Sequence, residues 1–371
     1  MINRAIGIVA KIIYQSQELY KLRVLVNGVS NNAYAFPQQC GELKVGDVVL
    51  LNTTAVDLGL GSGGYHFVMG LYSCATGAEK NRLASSKATM DSPGHIMKVR
   101  YTPFQVKVCA VEEEDSPAHG QFLRAESLEG LPVISGSLHS MLVPCVCGLK
   151  AVRENLRIAY VMTDGGALPL ALSEAVRTLK KMQLLCGTIT VGHAYGGDLE
   201  AVNLYSGLLA AKEILRAEVI VVLMGPGVVG TNTKWGTTAL ELGQIINAVE
   251  VLSGQSYTIP RLSFADGRER HYGISHHTLT ALNDISLALT RLVLPELSSG
   301  KKEYLLQQLR QIREERYQLF WGQGWEGIRF AQKHGLSLSS MGRSFTEDPA
   351  FFLAAAAVGD VVARQRAIDA G

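Results

Sequence analysis

Five short stretches in the C-terminal two-thirds of this chain mix glycine with acids, imidazoles and hydroxyls, the side chains that proton transfer and anion binding require. They are Ser135-Gly-Ser137-Leu-His139, Thr163-Asp164-Gly-Gly-Ala-Leu-Pro169, Gly192-His193-Ala-Tyr195-Gly-Gly-Asp198-Leu-Glu200, Gly225-Pro-Gly227-Val-Val-Gly230-Thr231-Asn232-Thr-Lys234-Trp235, and Asp266-Gly-Arg268-Glu-Arg270-His271-Tyr-Gly-Ile-Ser275-His276-His277-Thr278. Helix capping accounts for one such loop, because helix starts favour Ser, Asp and Gly. It accounts less well for five. The candidate catalytic groups are Asp164, His193, Asp198, His271 and His276, carboxylates and imidazoles that together serve acid–base chemistry near neutral pH. The candidate ligand-binding groups are Gly225, Gly227, Gly230, Thr231, Asn232 and Lys234, with Ser137, His139 and Arg268. Backbone amides of the glycine-rich run and the next helix N-terminus suit a phosphate or carboxylate.

Several sharper motifs fail on spacing. Gly225-x-Gly227-x-x-Gly230 formally matches the dinucleotide fingerprint. Thr231–Gly236 delays the helix, however, and the first acid after the following strand, Asp266, lies too far along, so NAD is not expected. Lys234 does not follow Gly230 directly, so there is no Walker loop. Ser137, Thr163, Ser275 and Thr278 are candidate nucleophiles without a Gly-x-Ser-x-Gly elbow. A divalent metal remains open, held by His271, one of His276 and His277, and Asp164, Asp198 or His193. Sequential residues on a helix start point in different directions, so only one of the pair is expected to share a ligand with His271.

The elements that must position these groups follow from periodicity. Residues 1–115 read as a small β-barrel-like domain, with strand-length runs at Ala5–Tyr14, Leu19–Asn27, Asn31–Phe36 and Asp47–Leu51. Residues 116–371 read as a doubly wound, mostly parallel, Rossmann-like α/β domain with C-terminal helices. Its strands are Leu131–Ile134, Arg157–Val161, Thr188–Val191, Val219–Leu223, Tyr257–Phe264 and Leu292–Leu294. Helices are expected at His139–Arg153, Leu170–Met182, Leu199–Arg216, Thr237–Ser253, His277–Thr290, Glu303–Leu319 and Pro349–Ala367. Ligands of such sheets bind outside the carboxyl ends of the strands, where the five loops fall. Two irregular stretches of the barrel domain, Asp57–Gly64 and Thr76–Gly94, are candidate flaps.

Composition removes other classes. A formal net charge of +2 over 371 residues, with no dense basic stripe, gives nucleic acid little to bind. No apolar run approaches membrane-spanning length, and Lys11 breaks the apolar N-terminus early, so a cytoplasmic protein is expected, with no membrane partner. Six scattered cysteines include Cys145-Val-Cys147, which lacks zinc spacing; they read as buried thiols. The Ala354–Ala357 run suits close helix packing, against the sheet or against a second subunit in a homo-oligomer.

Longer strings carry a resemblance. Asn52–His66, Val161–Pro169, Gly197–Gly207, Met224–Thr231 and Ser275–Leu282 are similar to the motifs of a bacterial family known as domain of unknown function family 3866, over nearly the whole chain. That resemblance implies a bacterial cytosolic protein and transfers no functional residue. It also puts Asn52–His66 among the shared motifs, so the barrel loop is expected to cover the α/β site. The residues themselves point to an enzyme, a hydrolase or group transferase, acting on a small anionic metabolite. The alternative is a protein that senses a small ligand in the same cleft, or assembles around it, without turnover.

Overall fold

In the computed structural model, which describes residues 3–57, 64–73, 93–99, 106–166 and 168–369, strands with alternating buried residues close the first part of the chain into a barrel. Its strands are Arg4–Gln15, Tyr20–Val26, Val29–Ala35, Val48–Asn52 and Tyr65–Ser73. They neighbour one another in the order first, second, third, fifth, fourth. The fourth pairs antiparallel with the first and closes the ring. Val9, Leu22, Val24, Ala33, Val49 and Leu51 fill the inside. The long first strand carries irregularities after Val9 and after Ile12, which supply the curvature that a five-stranded barrel needs. Both candidate flaps lie largely outside the described residues, and the expected cover over the α/β site falls with them.

Met1–Val106 and Lys107–Gly371 are separate compact units. The larger unit is built on eight strands in spatial order Leu199–Glu200, Gly187–Thr190, Ile158–Thr163, Val219–Met224, Pro132–Gly136, Gln255–Ile259, Thr290–Pro295 and Tyr317–Gly322. All seven pairings are parallel. Successive residues serve opposite faces, as the pleat dictates. Ile158, Tyr160, Val219, Val221 and Tyr257 pack with the helices Leu142–Val152 and Pro349–Asp369 on one face. Ala159, Val161, Ile220 and Val222 pack with Leu204–Glu213 and Glu241–Val251 on the other. Burial on both faces explains why the strands read as continuous apolar runs.

Several elements depart from the sequence reading for local reasons. The run through Phe264 stops at Ile259, because Pro260 has no N–H to continue a central strand. Leu262–Ser263 then forms a two-residue antiparallel ladder with Gly273–Ile274. Leu199–Glu200 is an edge strand, and the helix begins at Leu204, capped by the Asn203 side chain. The helix starting at Ser299 ends at Leu309, and Tyr317–Gly322 is the last parallel strand, as its aromatic content suits. His276–Thr280 widens into a π-turn at Ala281–Ile285.

The C-terminal helix lies inside the unit. Ala354–Ala357 are each 0% exposed within the single chain. A Cβ on Gly148 would overlap the carbonyl of Ala356, and one on Gly359 the carbonyl of Cys145. Glycine and alanine therefore let two helix backbones touch beneath the sheet. Among the described residues, no helix is long and apolar enough to cross a membrane.

Candidate functional site

Three strands in the middle of the sheet, Val219–Met224, Pro132–Gly136 and Gln255–Ile259, are direct neighbours. After Pro132–Gly136 the chain crosses to Ile158–Thr163 on one side; after Val219–Met224 it crosses to Gln255–Ile259 on the other. That reversal leaves a crevice at the carboxyl ends, where open α/β sheets bind ligands. A cavity of about 540 Å³ opens there, within the usual range for small-molecule sites.

Its walls come from the loops that follow those three strands. Leu138, His139 and Ser140 follow the first in sequence, Pro226, Gly227, Val228, Gly230 and Asn232 the second, and Arg261, Arg268, Arg270, His271 and His277 the third. Ser339, Ser340 and Met341 form a further wall, with Ser340 joined to Ser140 through their hydroxyls at 2.8 Å. Gly227 has φ +116, a conformation closed to other residues, and a Cβ on Gly230 would sit 3.2 Å from the His277 ring. Asn232 takes φ +61, which asparagine tolerates better than most side chains.

The third loop is rigidly held. Its Leu262–Ser263 and Gly273–Ile274 strands pair, and Gln308 from the helix Ser299–Leu309 accepts the Ile274 N–H at 2.7 Å while donating to the Tyr272 and Ile274 carbonyls. Asp266, with a 3% exposed side chain, is its electrostatic centre. It accepts from Arg268 Nε at 2.8 Å and from the terminal guanidinium nitrogen at 2.7 Å, and it lies 3.7 Å from Arg261 and 3.5 Å from Arg343. The Arg268 hydrogen bonds hold its carboxyl far below the usual carboxylate range. Arg270 makes no ion pair among the described residues, and its Nε is buried without a hydrogen-bond partner. Among the described residues, no acidic side chain lines the cavity.

All three histidines of this loop converge. Ring centroids lie 5.2 Å apart for His271 and His276, 5.2 Å for His271 and His277, and 4.1 Å for His276 and His277. The expectation that only one of His276 and His277 could join His271 is thereby corrected. In the first turn of the helix, side chains lean back toward the N-terminus, and the Ser275 hydroxyl that caps it also holds His271 Nδ1 at 2.7 Å. Burial, with Arg261, Arg268 and His277 adding to it, pushes His271 down to about 3. Burial and then His276 push His277 down to about 4, and burial with Arg270 lowers His276. In all three, burial favours the neutral ring.

His139 is fixed differently. Its Nδ1 faces the Met224 carbonyl at 3.2 Å and its Nε2 the Ser173 hydroxyl at 2.6 Å. Burial holds it neutral, with its pKa lowered to about 4.

Of the residues singled out from sequence, the cavity therefore gathers His139, Gly227, Gly230, Asn232, Arg268 and His271, with His276 stacked behind. It does not gather the rest. Asp198 lies level with Thr188, near the amino end of its strand, where it accepts the Thr188 N–H and hydroxyl and pairs with Lys180 at 2.6 Å. Asp164 ties its loop to the next by accepting the His193 N–H, so Asp164 and His193 belong to loops beyond the cavity wall. Lys234 pairs with Asp284 at 3.0 Å, Thr231 bonds within its own loop, and Gly225 sits against Met162. Ser137 is buried with its hydroxyl unpartnered, and it is not a wall residue. A metal set using Asp164, Asp198 or His193 is not assembled.

Sequence reading passed over Arg261; it had Arg270 within the fifth loop and His277 only as an alternative to His276 for a metal. Arg261 was legible: it directly follows the proline that ends a central strand. Glu241 was also missed. Outside the cavity wall, it accepts the Thr163 hydroxyl at 2.8 Å, and burial, with Asp164 adding, raises its carboxyl to about 7.

The profile of the family described as Protein of unknown function (DUF3866) matches residues 32–359. No curated protein matches the chain. Among solved structures, the crystal structure of YjeQ from Thermotoga maritima is similar at 10% identity and a TM-score of 0.14, covering 83% of this chain and 66% of that one. The chain thus spans just under two thirds of that structure's length.

Proposed function

We propose that this chain, which belongs to the family Protein of unknown function (DUF3866), binds a small anionic metabolite in the cavity at the carboxyl edge and acts on it as a hydrolase or group transferase. One observation carries the reading: Arg261, Arg268 and Arg270 line the cavity, and among the described residues no carboxylate does. Two of the guanidiniums already share Asp266, whereas the buried Nε of Arg270 lacks a partner. Guanidinium groups favour phosphate and carboxylate through paired N–H donors. The five free cysteines described suit a reducing compartment, and we place the protein in the bacterial cytosol.

The second reading, sensing without turnover, is favoured by the cavity's own acid–base groups. Both His271 and His277 are pushed far below neutrality, so neither side chain is poised to trade protons at pH 7. Calorimetry with inorganic phosphate, phosphate monoesters and dicarboxylates tests the anion site. Arg270→Ala should weaken the best ligand at least about tenfold, the effect of one lost charge-assisted hydrogen bond, without lowering stability. Equal affinity in the variant would remove the anion pocket. Product analysis on the bound ligand then separates turnover from sensing.

A further inference from the structure

The geometry points to a transition-metal site of the zinc class formed by His271, His276 and His277, open on one side toward the cavity. The candidate donor atoms of the three rings lie within 4.8 Å of one another. Imidazole nitrogens around a tetrahedral zinc, each about 2.0 Å from the ion, stand roughly 3.3 Å apart. Modest side-chain rotations close that difference.

Unsatisfied chemistry is the second observation. His277 is 4% exposed, yet neither of its ring nitrogens has a hydrogen-bond partner, and His276 Nε2 is buried and equally unpartnered. Buried polar atoms are normally paired, so unpartnered nitrogens on His276 and His277, in a cluster where one donor from each of the three rings shares a small volume, call for an occupant. His271 is prepared as a ligand. Ser275 Oγ accepts the His277 amide N–H and, at 2.7 Å, the Nδ1–H of His271 in the tautomer that leaves Nε2 free. Ligating histidines are usually oriented by such a second bond.

Three neutral nitrogens with no carboxylate among them select zinc, cobalt, nickel or copper over magnesium or calcium. Three protein ligands also leave a coordination position for a fourth group, as in catalytic rather than structural zinc sites. His271 and His277 both line the cavity, so that position faces the arginines. A dication beside guanidiniums is unfavourable alone and favourable with an anion between them. Metal and anion should therefore each tighten the other's binding; this coupling, unlike the metal site itself, rests on the anion-pocket reading.

The test uses the full chain stripped with chelator and titrated with Co(II) and then Zn(II), first without phosphate. The expected result is one equivalent of Co(II) with the visible absorption of a tetrahedral nitrogen site, displaced by Zn(II). His276→Ala, the most accessible of the three, should weaken Co(II) by more than about 100-fold, since even supporting partners are worth 10- to 100-fold. Circular dichroism and tryptophan fluorescence check its folding; His277→Gln serves as a second variant. Arg270→Ala should keep the cobalt spectrum. No stoichiometric Co(II) binding in the wild type, or binding that survives both histidine variants, overturns the proposal. Cobalt binding that phosphate leaves unchanged supports the metal site and counts against the anion reading instead.

Discussion

Replacing Asp266 by asparagine should cost the larger unit about 3 kcal/mol while leaving its shape intact. The carboxylate is 3% exposed and is the shared countercharge of Arg268 at 2.7 Å, Arg343 at 3.5 Å and Arg261 at 3.7 Å. A charge pair at such separation is worth about 4 kcal/mol at an effective dielectric constant of 20, and desolvation of the carboxylate takes back several kcal/mol. The Arg268 side chain is 47% exposed, so most of its share is screened by water. The loss of the two more buried partners then falls at the low end of the 3–5 kcal/mol seen when one member of a buried pair is removed. Because the folded carboxyl is held below its unfolded value, this stability is complete above roughly pH 4 and is lost on further acidification. At pH 7 it is wholly present. Urea unfolding followed by tryptophan fluorescence is the assay, since Trp235, Trp321 and Trp325 all lie in the unit Lys107–Gly371. Sulfate should restore part of the loss where chloride at equal ionic strength does not, by occupying the over-charged cavity. A loss below about 1 kcal/mol, or equal response to the two salts, would refute the account of Asp266 as the countercharge that limits the pocket's positive field.

Gly148→Ala should destabilise the same unit by about 2–3 kcal/mol, because the new methyl meets the backbone of Ala356 rather than a side chain that can move. Gly300→Ala, on a helix with nothing within 4 Å of the new carbon, should stabilise by about 0.5–1 kcal/mol; thermal melts of the two variants separate close packing from general glycine effects. Glu241→Gln tests the half-buried carboxyl. Its folded value near 7 lies above the ordinary 4.5, so the wild type's advantage from this group is present below pH 4.5 and is lost as pH rises through 7. The variant should accordingly be more stable at pH 8, by up to about 3 kcal/mol, and no different at pH 4; destabilisation at pH 8 would contradict it.

Local patterns in the sequence were enough to place the parallel sheet, because strands buried on both faces must be apolar throughout, as Val219–Leu223 is. The rule that ligands sit at carboxyl ends also put Gly227, Asn232, Arg268 and His271 where the cavity lies. Strand order was not legible. Val219–Met224 inserts between Ile158–Thr163 and Pro132–Gly136, and that insertion, set by long-range packing, moves the loops of Asp164 and His193 away from the wall. Short elements were hidden too. Leu199–Glu200 has two residues, and Tyr317–Gly322 follows soon after a charged helix that ends at Leu309, so neither gives a periodic signal. The pairing of His276 with His277 depended on side-chain lean in a first helical turn, which spacing rules for helix interiors do not describe.

The cavity's chemistry is unusually local in origin. Arg261, Arg268, Arg270 and His271 come from the single connection between Ile259 and the following helix, His277 from that helix's first turn, and Asp266 in the same connection fixes two of the arginines. Such a segment could not hold its geometry as a free loop, since clustered guanidiniums repel one another. The two-residue ladder, the Gln308 clamp and the Asp266 hub each remove a way for it to relax. Burying Arg261 beside its neighbours costs free energy that other loops do not need to spend, and Arg270 and His277 still end with unmatched polar atoms. An arrangement that expends stability on leaving donors and acceptors open is the physical signature of preorganisation. That expenditure is why the connection, rather than the glycine-rich turn after Met224, is the part of the fold to which function should be traced.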